Sequence, residues 1–288
     1  MHPGTYHVPV LADASIAGIG APQLPSGIYV DATFGGGGHS RLILDALDAN
    51  GRLFGFDQDA DAHANALPDE RFTLIPENFR HARNFLRLNG VRRIDGLLAD
   101  LGVSSHQFDE GARGFSTRFD APLDMRMNPN QGTMAKDIIN NESKDTLLRI
   151  FKEEGDIRHP EKFVDLLLNH RENAPFLTTV DLVACIKRGF FVKSRPQFIA
   201  ICTKVFQAIR VVLNDEMGEL RQTLQSMLNY DHATIAVITF QPNEDRFVKQ
   251  FVKHHQLKSI TKKPLQSTYA ECKKNPREKS AKLRIFQV

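Results

Sequence analysis

The chain has 288 residues, 41% hydrophobic and 25% charged, which allows a sizeable core and argues against bulk disorder. No run approaches the roughly 18 apolar residues of a membrane span, the segment MHPGTYHVPVLAD lacks the pattern of a secretory signal, and Cys185, Cys202 and Cys272 are scattered. Those features exclude a disulfide scaffold and a cysteine-rich zinc site, and they lead to the expectation of a reducing, cytoplasmic setting with no membrane and no metal. The net charge of +3 is uneven: from Arg246 onward twelve Lys or Arg face only Glu271 and Glu278, a balance of +10, which leaves −7 for the rest. A basic carboxy-terminal region of that kind suits a polyanion.

In chain order, residues 27–32 (GIYVDA) read as a strand ending in an acidic residue, followed by Gly35 to Gly38. Residues 39–47 carry apolar positions at helical spacing. Strand, glycine turn and helix follow one another here. Residues 52–56 (RLFGF) make a second strand, with Asp57 just beyond, and a helix is expected over 60–67. A short strand at 72–75, a helix at 81–88 and a buried strand at 94–101 come next, the last reaching Asp100. Alternation at this pace predicts an α/β fold with a doubly wound, mostly parallel sheet.

The rhythm breaks after residue 104. Residues 104–132 form a loop rich in Gly, Pro, Asp and Arg, and 133–190 read as helices at 135–139, 146–151, 161–169 and 179–188. One amphipathic helix is then expected over 201–228. A β-branched strand at 234–240, a helix at 244–255 and a last strand at 282–287 resume the sheet. The expected division is therefore a core at 1–105, a helical insert with a substrate loop at 106–200, and a second core part at 201–288.

A glycine cluster after a strand lets backbone approach a ligand, and the next helix offers its positive end. No Lys-Ser/Thr follows the glycines, which argues against a nucleoside triphosphate. Asp57 sits where a carboxylate can bind ribose hydroxyls. NAD would satisfy that feature, but Asp31 beside the loop would repel a pyrophosphate and would suit a cationic ligand such as S-adenosyl-L-methionine. Asp100 adds a third carboxylate at the same sheet edge, where ligands of such sheets bind. Phe79 is a candidate to lie against adenine, or else a core side chain.

The sequence resembles the bacterial ribosomal RNA small subunit methyltransferase H family. The likeness rests on H7-V-P-V-L11, D31-A-T-F-G-G-G-G-H-S-R41, D57-Q-D59, D95-G-L-L-A-D-L-G-V-S-S105, Q107-F-D109, R113-G-F-S116 and P122-L-D-M-R-M127. It continues in F206-Q-A-I-R210, N214-D-E216, E244-D-R246, N275-P-R277 and S280-A-K-L-R284. It implies methylation of the exocyclic N4 of a cytidine in 16S rRNA of the small ribosomal subunit, on a class I S-adenosylmethionine-dependent fold with an all-helical insert. It implies a cofactor site of Gly37, Gly38, His39, Asp57, Phe79, Asp100 and Gln107, to which Asp31 and Gly35 are added from the loop reading.

Asp100 is the candidate catalytic residue, as acceptor for the amine or as cofactor anchor. Arg113, Arg118, Arg126 and Arg246 are candidates for phosphate contacts, and Phe115 or Phe119 for base stacking, though an internal pairing of some arginines with Asp109, Asp120 or Asp124 is expected. A homodimer is compatible with this reading. The chain departs from the family pattern at Gln241-Pro242-Asn243, where His-Ser-Leu is usual. That departure keeps a rival open: an RNA-binding or ribosome-assembly factor on the same fold. An NAD-dependent oxidoreductase is the other rival.

Overall fold

Seven strands form one sheet in the order β3-β2-β1-β4-β5-β7-β6. They are β1 (Ile28–Asp31), β2 (Arg52–Phe56), β3 (Phe72–Ile75), β4 (Gly96–Asp100), β5 (Thr234–Thr239), β6 (Lys258–Ser259) and β7 (Lys282–Gln287). Strands β1 to β5 pair in parallel, and β7 runs antiparallel to both β5 and β6. This computed structural model describes residues 9–130 and 132–288. His7 and Val8 of the first motif, and most of the segment read for a signal, lie outside the described residues.

The parallel strands form because their sequences are short, apolar and nearly continuous, as burial on both faces requires. Val30, Phe54, Leu97, Ile235 and Val237 face one layer of the core. Tyr29, Leu53, Leu98, Ala236 and Ile238 face the other. The sheet belongs to one of two compact units, Met1–Gly102 with Gly218–Val288; the other is Val103–Met217.

After β5 the helix Pro242–His254 begins under the control of a buried carboxylate. Glu244 Oε2 accepts from the backbone N–H groups of Phe240 (2.8 Å) and Gln241 (3.1 Å). The next residue, Asp245, accepts from Arg284 Nε at 2.6 Å and pairs with Lys282 at 3.5 Å, both on β7. Burial opposes charge on Asp245, but these two cations more than offset it and hold its carboxyl below the usual range. The acidic pair of the E244-D-R246 block thus ties helix to strand.

The second unit has helices at Ser105–Asp109, Ala135–Asn141, Lys144–Glu153, Glu161–Arg171, Thr179–Gly189 and Arg195–Leu213. Among the described residues it has no strand, only an isolated bridge between Pro122 and Thr178. The helix Arg195–Leu213 is long and apolar enough to cross a membrane, which the search for unbroken apolar runs did not reveal. Its Cys202, Val205, Phe206, Ala208 and Ile209 are buried in this unit's core.

One expectation fails here. The helix read over 201–228 is two helices, Arg195–Leu213 and Glu216–Met227. Its first half belongs to the core of the helical unit, which extends to Met217 where the sequence placed the end of the insert at 200. The break has a local cause. Asn214 accepts from Met127 N at 2.7 Å and donates to the carbonyls of Met125 (2.9 Å) and Arg210 (2.8 Å). Asp215 then takes a φ of 51°, which a helix cannot hold. Arg210 closes the corner with paired bonds to Glu216 at 2.7 and 3.0 Å.

Asn214→Ala removes three bonds from a partly buried corner. It should destabilise the protein by roughly 1–3 kcal/mol, measured by urea unfolding. A loss within a few tenths of a kcal/mol of zero would show that the corner holds without this side chain.

Candidate active site

The carboxyl ends of β2, β1 and β4 lie side by side, and each carries an aspartate. Asp31 ends β1 and Asp100 ends β4, while Asp57 follows β2 directly. The glycine turn sits above them because Gly35 and Gly37 take φ values of 53° and 73°, the left-handed region that glycine enters without strain. A Cβ on Gly37 would lie 2.9 Å from the Phe34 ring, and one on Gly38 would lie 2.7 Å from Pro9. The turn therefore leaves room for nothing larger at those positions.

Asp31 is wholly buried. Its Oδ1 accepts from Thr33 N at 3.1 Å and its Oδ2 from the Ser40 hydroxyl at 2.7 Å. Burial raises its pKa, opposed by His39, Ser40 and Thr33. Its oxygens face the turn and the first helical residues, so it shapes the loop from beneath and supplies field to the site. This revises the reading of Asp31 as a residue in contact with a ligand.

Asp57 holds the turn from the other side. Its Oδ2 accepts from Gly35 N and its Oδ1 from Asp59 N, each at 2.8 Å. Each oxygen keeps a further lone pair. Burial pushes this carboxyl up to about 6, against the two N–H donors.

Asp100 is fixed through its backbone: its N–H donates to Thr33 Oγ1 at 2.8 Å. Its side chain keeps 25% exposure, yet Oδ1 is buried with no hydrogen-bond partner among the described residues. Oδ2 lies 3.8 Å from His39 Nδ1. Burial pushes its pKa up to about 6; His39 and Arg277 oppose the rise and Asp31 adds to it. Gly102, two residues on, has a φ of 102°, and a Cβ there would meet the Phe240 ring at 3.8 Å.

Phe79 opens a short 3-10 turn, Phe79–His81, and packs half-buried against the core. Asn78 caps that turn and also donates to Gln58 (2.9 Å) and to the buried Glu219, which pairs with Arg80 at 3.3 Å. Gln107 lies in the helical unit. It is buried, and its Oε1 accepts from Ser104 N at 3.0 Å while the Ser104 hydroxyl accepts from Gln107 N, a reciprocal cap.

Two of the internal pairings expected for the loop arginines form, Arg118 with Asp109 and Arg126 with Asp124. Arg113 donates to the carbonyls of Arg126 and Met127, both at 3.0 Å. Arg126 makes paired bonds to Asp124, both at 2.8 Å. Arg118 pairs with Asp109 at 2.8 Å and lies over the rings of Phe108 and Phe119. Phe115 is 7% exposed in the core of its unit, so its ring is not free to stack on a base; Phe119 is 39% exposed. The arginines of this loop are thus engaged within it, while Leu123, Met125 and Met127 are buried in the core of the unit. Arg246 is exposed on the helix after β5.

Sequence reasoning did not single out Thr33, Ser40 or Arg277, although all three stand within the quoted motifs. A hydroxyl two residues after a strand-ending aspartate, and another at the start of the next helix, were the available signals.

A family model described as the MraW methylase family matches residues 4–288. The chain belongs to that family. It is 42% identical over 299 residues to the ribosomal RNA small subunit methyltransferase H of Flavobacterium johnsoniae, covering 98% of this chain and 97% of the relative. The protein of the same name from Parabacteroides distasonis is 43% identical over 301 residues, with the same coverage. Among solved structures, a putative rRNA-methylase from Clostridium thermocellum aligns over 95% of this chain and 98% of its own, at a TM-score of 0.41 and 13% identity. That structural likeness is too distant to argue from.

The raised pKa of Asp57 has a consequence for stability. An aspartate near 3.9 unfolded and about 6 folded binds more protons in the native state between those values. Its ionisation therefore costs stability as pH rises through that window. Asp57→Asn lacks this penalty. The stability of the variant relative to the parent should rise by about 3 kcal/mol between pH ~4 and ~7, read by urea unfolding in the absence of ligand. A difference that does not change with pH would show that Asp57 is not a strained carboxylate.

Proposed function

We propose that this chain transfers a methyl group from S-adenosyl-L-methionine to the exocyclic N4 of a cytidine in 16S rRNA of the small ribosomal subunit. The observation that carries this reading is the row of three carboxylates beneath a glycine turn at one sheet edge, in a chain of the MraW methylase family. The relatives that match nearly the whole chain are named ribosomal RNA small subunit methyltransferases. The strand order, with β7 reversed beside β5, fits a class I methyltransferase sheet. A ribosomal substrate also makes the cytoplasm the natural setting.

The residues fit such a cofactor. The molecule has an amino group, a sulfonium and two ribose hydroxyls but no phosphate, which suits an acidic pocket. When bound it supplies an electrophilic methyl carbon. Asp57, whose oxygens keep lone pairs beyond their backbone donors, would bind the ribose hydroxyls. Gly35, Gly37 and Gly38 let the backbone approach, and Phe79 would lie against the adenine. Gln107 keeps a place in the proposed cofactor set through the family motif it matches.

The exocyclic amine is a weak nucleophile because its lone pair is delocalised into the ring. Asp100, whose Oδ1 has no hydrogen-bond partner among the described residues, would accept a hydrogen bond from that amine as positive charge develops on nitrogen. Transfer of labelled methyl to small subunits followed by nucleoside analysis should give N4-methylcytidine. Label on a ring carbon, a ribose or protein would overturn the assignment. Asp100→Asn should lower the single-turnover rate at saturating cofactor roughly a hundredfold. Full recovery at saturation would reduce Asp100 to a cofactor anchor.

The rRNA would meet the carboxy-terminal face. Lys262, Lys263, Lys273, Lys274 and Lys279 are exposed there, around Tyr269 at 87% exposure. Lys282 and Arg284 are instead held by Asp245. Replacing Lys262, Lys263, Lys273 and Lys274 by alanine should cut the slope of log affinity against log salt by about 3. An unchanged slope with unchanged affinity would show a solvated face only.

A further inference from the structure

The ring of His39 is 6% exposed, and its neighbours dictate which nitrogen carries a proton. Nε2 lies 3.0 Å from the carbonyl oxygen of Val10. A carbonyl only accepts, so Nε2 must donate. In a neutral imidazole Nδ1 would then present a bare lone pair. The group facing Nδ1 is Asp100 Oδ2, at 3.8 Å. A carboxylate oxygen also presents only lone pairs, and two opposed acceptors repel, here between a buried ring and a partly exposed carboxylate.

One proton removes the conflict. Placed on Nδ1, it makes an imidazolium beside a carboxylate. Placed on Asp100, it makes a carboxylic acid beside a neutral ring. The other charged groups bearing on Asp100 are Asp31 from β1, which disfavours a second negative charge, and Arg277 from the turn Pro276–Lys279, which favours it. On the ring itself bear Asp31 and Asp100.

We propose that His39 and Asp100 hold one proton between them, and that His39 is a positioning residue that keeps it on Nδ1 so that Asp100 stands ready as a carboxylate. This rests on the reading of Asp100 as acceptor for the cytidine amine. In the reaction the amine nitrogen forms a bond to the methyl carbon, and the carbon–sulfur electron pair stays with sulfur. One N–H proton passes to an Asp100 oxygen, and its bonding pair returns to nitrogen. The pair then holds two protons and releases one to solvent before the next turnover. Were the resting proton on Asp100 instead, the carboxyl could not take the amine's proton.

The first test needs no turnover. Ring 15N signals of His39 report the protonation of each nitrogen in the free protein at about pH 7. In the parent both nitrogens should carry protons. In Asp100→Asn the amide can donate to Nδ1, so Nε2 should stay protonated and Nδ1 should lose its proton. A neutral ring in the parent overturns the resting place on Nδ1, and a ring protonated on Nδ1 alone overturns the donation from Nε2 to Val10.

The second test is the pH profile of methyl transfer by His39→Gln at saturating cofactor. Without the imidazolium, the acidic limb should move up by about one pH unit, with the rate approaching that of the parent at higher pH. A uniform drop at every pH would show a structural role only and would overturn the positioning role. Failure of the underlying reading is separable. If Asp100 is not the acceptor, Asp100→Asn retains its rate at saturation, while the 15N result still decides where the proton sits.

Discussion

Three carboxylates stand at the ends of adjacent strands, Asp31 disfavours charge on Asp100 and burial disfavours it on all three, and the architecture of the site follows from how each is held. Two unit charges a few ångströms apart interact by several kcal/mol at an interior dielectric, far more than in water. Each aspartate has a different answer. Asp31 is screened by Thr33 N–H and the Ser40 hydroxyl, Asp57 by Gly35 and Asp59 N–H groups, and Asp100 by the His39 ring. The Asp31 and Asp57 donors are residues of the loops after β1 and β2 and of the helix that follows β1. The glycine turn therefore serves two ends: it opens a path for a ligand and aims backbone N–H groups at buried charge. The positive φ angles of Gly35 and Gly37 are the local cost of that aim.

The helical unit meets a different constraint. It contains a loop of some twenty residues without a sheet to dock on, and a loop of that length is uncommon unless something orders it. Its polar side chains and the burial of Phe115, Leu123, Met125 and Met127 provide the order. Arg113 reaches the carbonyls after Asp124, Arg126 is clamped to Asp124, and Asn214 reaches back to Met125 and Met127. Met125 takes a φ of 59°, and a Cβ on Gly114 would lie 2.4 Å from the Pro122 carbonyl. The R113-G-F-S116, P122-L-D-M-R-M127 and N214-D-E216 blocks are in this sense a single structural device. Their sequence spacing concealed it, because the partners lie up to 89 residues apart.

The parallel strands were legible because each is a short apolar run, three of them closed by Asp, and such runs have few alternatives. The β2 limits read as 52–56 and the β3 limits as 72–75 match the structure. The helix at 60–67 shrinks to Ala60–His63, with Asp59 capping its start and Pro68 shortly after its end. The break at Asn214–Asp215 was not legible, since apolar periodicity runs on through it while a side-chain contact with a distant loop sets the corner. The roles of the arginines were legible only as alternatives. A guanidinium in a loop with aspartates can face phosphate or carboxylate, and only the fold decides which. At the sheet edge the aspartates were readable from strand ends, but the proton relation of His39 to Asp100 depends on Val10, 29 residues away.

An acidic pocket in an enzyme for a polyanion looks self-defeating, and the distribution of charge resolves it. Screening at physiological ionic strength reaches about 8 Å. A pocket that presents carboxylates to a small cationic ligand can therefore coexist with a basic face that meets phosphates farther off. The sequence enforces the separation: −7 before residue 246 and +10 from it onward. Within the carboxy-terminal region the charges divide again. Lys282 and Arg284 on β7 are turned to Asp245 and hold the helix Pro242–His254, whereas the lysines at 262, 263, 273 and 274 stay exposed. Arg277 is the link between the two halves of this arrangement. It comes from the basic region, yet its charge bears on Asp100 and favours the ionised form. A charge that steadies the proposed acceptor thus arises from the same segment that would face the rRNA, so movement of that segment on binding would be felt at the carboxylate.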